Sequence, residues 1–192
     1  MKKVRRLQAD MTAFFDELYT GEEKRLVFGD GDIHSRIMLI GEAPGEQESL
    51  QGRPFVGKAG KNLDEFLLLS GLDRRTLYIS NTVKFRPTKI SKAGRIVNRP
   101  PSQEEIRLSV PWLEREIGLV DPDIIVTLGN VSLKALLGKE ASVGQCHGRW
   151  QEWNGRRLYP LYHPASILYN PSLREVYRED VVRLGQDVRA SD

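Results

Sequence analysis

Cysteine is almost missing from this chain: Cys146 is the only one in 192 residues. A single thiol excludes an internal disulfide and any metal or iron–sulfur centre built from this chain's cysteines alone, and a lone cysteine of this kind reads as inert. No apolar run approaches the roughly 18 residues of a membrane span, and no signal peptide is visible, so the chain is expected in the cytoplasm and away from membranes. Internal repeats and linkers are lacking as well, which leaves one domain over residues 1–192, long enough for a sizeable core. A strong charge excess is missing too. The formal net charge is +3 and the pI is near 9.0, a mild signal for a polyanionic partner that makes the placement of basic residues more informative than their sum.

What is present is organised around Gly41-Glu-Ala-Pro-Gly45 and its continuation to Gly60. The apolar run Ile37-Met-Leu-Ile40 before it reads as a buried strand, and Ala59, Leu63, Phe66 and Leu67 after it fall on one face of a helix that Gly71 stops. The long loop between them lacks the GxxxxGK(S/T) spacing of a phosphate cradle. Its side chains able to act on a ligand are Glu42, Glu48 and Phe55, which suit a flat, polar, uncharged ligand. The alternative is a structural loop with solvated glutamates.

Further along, Tyr78-Ile79 reads as a short strand with Asn81 at its exit. Six cations without a carboxylate follow (Lys84, Arg86, Lys89, Lys92, Arg95, Arg99), broken by Gly94 and ending at Pro100-Pro101. This reads as a mobile basic surface loop fitted to a phosphate backbone. Ser102-Gln-Glu-Glu105 is a capping box that opens a helix, which Pro111 should kink. Ile124–Leu128 is the clearest buried strand, and Leu158–Tyr162 the last, with His163-Pro-Ala-Ser166 leaving its end before a closing helix from about Leu173 to Gly185. An amphipathic helix over Met1–Thr20 and a short edge strand at Leu26–Phe28 complete the N-terminal part.

Strands alternating with helices predict an α/β fold, a three-layer α/β/α sandwich around a four-stranded, mostly parallel sheet. The exits of its strands share one edge, so Glu42, Glu48, Asn81 and His163 can converge on one crevice. Asparagine offers a donor and an acceptor side by side, which matches the edge of a pyrimidine. Phe55 can stack on such a ring, His163 can bond an oxygen that gains negative charge, and Glu42 can orient water or stabilise positive charge. The set suits removal of a base from a flipped-out nucleotide.

The motifs GEAPGEQESLQGRPFVGKAG, ISNTVKFRP, DPDIIVTLG and LYHPASILYNP, in this order from about Val27 to Leu184, resemble the uracil-DNA glycosylase superfamily, most closely its family-4, iron–sulfur branch. The resemblance implies hydrolysis of the bond between uracil and deoxyribose; together with the residue chemistry above, the expectation is a dissociative mechanism with Glu42, Asn81 and His163 as the catalytic set. It implies a pocket of Gly41, Ala43, Pro44, Gly45, Glu48, Phe55, Asn81 and His163. In it Phe55 stacks on uracil, Asn81 reads the Watson–Crick edge, Glu48 crowds C5 to exclude thymine and His163 faces the uracil O2. DNA would be held by Lys58, Lys84, Arg86, Arg95 and Arg99, and Pro164, Ala165, Ser166 and Ile167 would form a minor-groove wedge.

The family-4 branch holds a [4Fe–4S] cluster on four cysteines that are absent here. Phe85 and Ser109 stand at two of those positions, and the other two fall near Phe14 and Glu17. Apolar side chains are therefore expected in the cluster's space, with no metal and no cofactor. A second branch, which is trapped covalently on uracil DNA, carries a histidine in KRRIH after the asparagine strand. This chain has Gly94-Arg-Ile-Val-Asn-Arg99 and is not expected to trap. A monomer acting on DNA containing uracil is the expectation. The alternatives are a catalytically silent nucleic-acid-binding member of the same fold and a glycosylase for another deaminated base.

Overall fold

A computed structural model describes residues 2–22 and 24–191. Met1, at the start of the expected first helix, lies outside them. The apolar, β-branched runs become the central strands β2 (Ile37–Gly41), β3 (Tyr78–Asn81), β6 (Ile124–Leu128) and β8 (Arg156–Leu161), which run parallel in the order β3-β2-β6-β8. Two short antiparallel strands extend this sheet to six. They are β1 (Asp30–Gly31) beside β3 and β7 (Gln151–Trp153) beside β8. The four-stranded expectation thus describes the parallel centre and misses both edges, since two- and three-residue strands leave no periodic signal. The edge strand also differs in place: residues 26–28 are irregular, tied in by the Val27 N–H to the Lys84 carbonyl at 2.6 Å.

Side chains alternate across the sheet and build a core on each face. Ile37, Leu39, Ile79 and Val126 point to the layer of α3 (Lys58–Ser70) and α8 (Leu173–Ala190). Met38, Ile40, Tyr78 and Ile125 point to the layer that includes α4 (Gln103–Val120), α5 (Asn130–Leu137) and the short α6 (Val143–Cys146). The three-layer sandwich follows from that alternation. α4 opens on the expected capping box, Ser102 Oγ accepting from the Glu105 N–H at 3.1 Å and the Glu105 carboxylate from the Ser102 N–H at 2.7 Å. It continues as one helix through Pro111.

A third core joins α1 (Lys2–Leu18) to α4 and to the chain after β3: Leu7, Met11, Phe15, Val83 and Phe85 are buried together, with Phe14 and Trp112 packed against them. The basic loop after it is not loose. It forms an antiparallel hairpin, β4 (Thr88–Ile90) with β5 (Ile96–Asn98), which turns at Ser91 and Gly94. Within the glycine loop, α2 (Glu46–Gln51) adds a short helix capped by Gly52 in the left-handed region.

Candidate active site

The carboxyl ends of β2, β3 and β8 open on a cavity of about 450 Å³. Ala43, Gly45, Glu48, Phe55, Asn81 and His163 line it, so residues from three separate motifs do converge. Gly41, Glu42 and Pro44 flank the lining residues Ala43 and Gly45 without lining the cavity themselves. Gly41 is paired in register with Asn81, and a Cβ built on it would come within 2.5 Å of Asn81 Oδ1 and 2.6 Å of the Phe55 ring. The Glu42 carboxyl has no hydrogen-bond partner among the described residues, and burial pushes its pKa up.

Phe55 holds a left-handed backbone, φ 53°, uncommon for a bulky residue and found where surrounding structure enforces it. The enforcement comes from α3, where Gly60 sits so close to the Phe55 carbonyl that no side chain would fit. This places the Phe55 ring beside the His163 ring, centroids 5.9 Å apart with 30° between the planes.

Glu48 is the organiser of the loop. Its Oε2 accepts from the Gly45 N–H at 3.1 Å, and its Oε1 from the N–H groups of Val56 and Gly57 at 3.0 and 2.8 Å. The amino ends of α2 and α3 are thereby fastened to one carboxylate on the cavity wall.

His163 is held from its own loop: the Ala165 N–H donates to Nδ1 at 3.1 Å. An acceptor Nδ1 carries no proton, so the neutral ring has its proton on Nε2 and offers the cavity a donor. Burial pushes the His163 pKa down to about 4, with the nearby Glu48 charge opposing the shift. Asn62 of α3 fixes the same loop by donating to the Pro164 carbonyl at 3.1 Å. It stands two residues beyond the end of the glycine-loop motif, on a helix face whose partner, the loop after β8, is 102 residues away in sequence, so nothing local signalled that role.

The segment expected as a wedge is partly buried. Pro164 and Ile167 are buried, whereas Leu168 and Tyr169, in α7 (Ser166–Tyr169), are 50% and 87% exposed at the cavity rim. Ile167 cannot enter a groove while it packs in the core.

The basic set also divides. Lys84 is fully buried and ion-paired to Glu116 at 2.6 Å, so it is closed to a phosphate. Arg99 grips the Glu105 carboxylate with both Nη atoms at 2.7 Å, and Arg86 bonds Asn98 Oδ1 at 2.6 Å and Glu46 at 3.3 Å. Lys89, Lys92 and Arg95 on the hairpin and Lys58 at the cavity remain exposed. Asn98 joins the cavity lining through the hairpin fold, which brings β5 back against α2 and which a loose loop would not do.

The cluster implied by the family resemblance does not fit this chain. Phe85, fully buried, packs edge-on against Phe15 and Tyr19 at 5.5 and 5.4 Å, and Phe14 packs on Trp112 at 5.3 Å. Ser109 is buried nearby with an unpartnered hydroxyl, and Cys146 lies in the separate core around α5 and α6. Among the described residues no group of three or more His, Cys, Asp or Glu is placed to hold a metal ion. No helix among them is long and apolar enough to cross a membrane.

Known proteins resemble this chain in sequence and in fold. The family model of the uracil DNA glycosylase superfamily matches residues 28–184. A type-4 uracil-DNA glycosylase of Saccharolobus solfataricus is 42% identical over 166 residues, 82% of this chain and 73% of that one. A type-4 uracil-DNA glycosylase of Thermotoga maritima is 39% identical over 160 residues, 81% of this chain and 79% of that one. The crystal structure of wild-type SMUG2 from Pedobacter heparinus superposes with a TM-score of 0.59 at 20% identity, covering 82% of this chain and 77% of that one, a likeness of fold alone.

Proposed function

We propose, from the premise that this chain belongs to the uracil DNA glycosylase superfamily, that its cavity takes a flipped-out uracil nucleotide and releases the base by a dissociative mechanism. The protein is a DNA-repair glycosylase, a hydrolase of the N-glycosyl bond. The single observation that carries the finer reading is the meeting of Asn81, Phe55 and a neutral His163 on one wall.

In this mechanism the C1′–N1 bond loosens first, and its electron pair moves into the uracil ring and onto O2. His163 Nε2–H donates to that oxygen, a charge-assisted bond that strengthens as the charge grows. A ring with a pKa near 4 stabilises the anion without protonating it. Asn81 bonds the Watson–Crick edge, and Phe55 stacks on the ring for roughly 1–3 kcal/mol. Glu48, fixed by three backbone N–H groups, is a rigid stop against a C5 methyl. Water then attacks C1′, and Glu42, which adjoins the lining residue Ala43 at the cavity's edge, favours the positive charge on the sugar with its unpaired carboxyl and takes the water's proton. Leu168 and Tyr169 fill the gap left by the flipped nucleotide. The reaction as read needs no residue from a second copy, and its substrate is uracil-containing DNA.

The test is an alkaline-cleavage assay on single-stranded and duplex oligonucleotides carrying uracil, hypoxanthine or thymine. Cleavage at uracil alone is expected. Cleavage at hypoxanthine instead would reassign the base, and retained binding with no cleavage anywhere would make the protein a silent binder.

The exposed cations give an independent expectation. Neutralising two of Lys89, Lys92 and Arg95 should lower the slope of log K against log salt by roughly 1.4 on single strands. An unchanged slope in a salt titration by fluorescence anisotropy would remove the hairpin from the DNA interface.

A further inference from the structure

Behind the cavity, β3 and α4 are joined by a buried polar network that the chemistry above does not use. Lys84 Nζ is fully buried, and its three donors are all engaged, each at 2.6 Å: Ser80 Oγ, Glu116 Oε2 and the backbone carbonyl of Asn81. Glu116 in turn accepts from Ser80 Oγ at 2.8 Å and, on its other oxygen, from the Tyr78 hydroxyl at 2.9 Å. Along β3, Tyr78 and Ser80 face α4, while Asn81 turns the opposite way into the cavity.

A fully buried ion pair is a poor device for stability alone, because desolvating both charges cancels much of their attraction and an apolar pair of similar volume does as well. What the pair supplies here is direction. An ammonium with three fixed acceptors admits one position, and one of those acceptors is the carbonyl of Asn81 itself. We infer that Lys84 and Glu116 are positioning residues: the ion pair anchors the last peptide of β3 and thereby holds the Asn81 side chain at the angle at which it meets the base. The inference rests on the reading of Asn81 as the group that recognises the base.

Lys84→Met alone leaves Glu116 buried and uncompensated, and is expected to lower the melting temperature or prevent folding. The informative protein is the double variant Lys84→Met/Glu116→Gln. Its neutral glutamine still accepts from Tyr78 and donates to Ser80, so stability should return close to that of the wild type, while the bond to the Asn81 carbonyl stays lost. We expect the double variant to show at least a tenfold rise in the inhibition constant for free uracil and at least a tenfold fall in kcat/KM on uracil DNA, with unchanged affinity for undamaged DNA. A purely structural pair would return activity together with stability, and that result overturns the inference. A double variant as unstable as Lys84→Met also overturns it, since Lys84 would then serve the fold at large.

A readout independent of base recognition separates this inference from the reading it rests on. In protein labelled with 15N-asparagine, the Asn81 side-chain amide should give one sharp, well-dispersed pair in the wild type and a broadened or averaged pair in the double variant. An unaltered pair rejects positioning whatever the assays show. Failure of wild-type protein to bind or release uracil rejects the role of Asn81 in recognition, whatever the spectra show.

Discussion

His163→Ala will lower kcat for uracil release by about two to three orders of magnitude while the protein stays folded, the usual cost of removing one preorganised donor to a developing oxyanion. The donor is preorganised because the Ala165 N–H at Nδ1 and the Asn62 bond to the Pro164 carbonyl fix ring and loop before substrate arrives. Since burial holds the ring's pKa near 4, the ring is neutral through the range around pH 7, and its contribution to the rate is flat there. A profile that fell away near pH 6.5 would show an ordinary, solvated histidine and would remove the neutral-donor account.

The same shift has a stability consequence. The ordinary pKa is 6.5 and the folded value about 4, so between these the unfolded chain binds a proton that the folded protein refuses. Stability from this group is therefore complete above pH 6.5 and is lost as pH falls through the window from 6.5 to 4, by on the order of 3 kcal/mol. Denaturation of the His163→Ala variant should be less acid-sensitive over that window by a similar amount. Equal sensitivity in both proteins would mean that His163 is not buried in its neutral form.

How far these groups could be read from the chain depended on whether the signal was local. The strand exits carrying Asn81 and His163 were legible, because an apolar run followed by a polar residue marks the carboxyl end of a parallel strand. Lys84 was misread because nothing near it in sequence announces Glu116, a helix partner 32 residues on. The exposure of the loop after His163 was misjudged for a related reason. Short α7 turns Ile167 into the core and Leu168 outward, and helical phase over four residues cannot be assigned from composition. The hairpin was hidden by its two three-residue strands, and with it Asn98, which reaches the cavity only when the hairpin folds. Phe85 was legible in the opposite sense, as an aromatic residue where the resemblance called for a thiol, and the rings of Phe15 and Tyr19 complete that substitution.

Gly41 tests the whole arrangement with a single methyl group. It ends β2, its register partner is Asn81, and its φ lies outside the left-handed region, so alanine meets no backbone obstacle. The obstacle is lateral: the new Cβ would lie 2.5 Å from Asn81 Oδ1 and 2.6 Å from Phe55 Cζ, and one or both side chains must yield by roughly 1 Å to reach van der Waals distance. Because both border a cavity, they can yield into open space, and the fold should lose little stability. The groups that move, however, are those proposed to read and stack the base, and a misplacement of about 1 Å in a positioning group can cost on the order of 100-fold. Gly41→Ala should therefore lower kcat/KM on uracil DNA by about two orders of magnitude with a nearly unchanged melting temperature. Gly118→Ala, whose Cβ meets nothing within 4 Å on α4, is the matched control and should leave activity intact. Full activity in Gly41→Ala would mean that Asn81 and Phe55 tolerate displacement, and that recognition of the base rests on other groups of the wall.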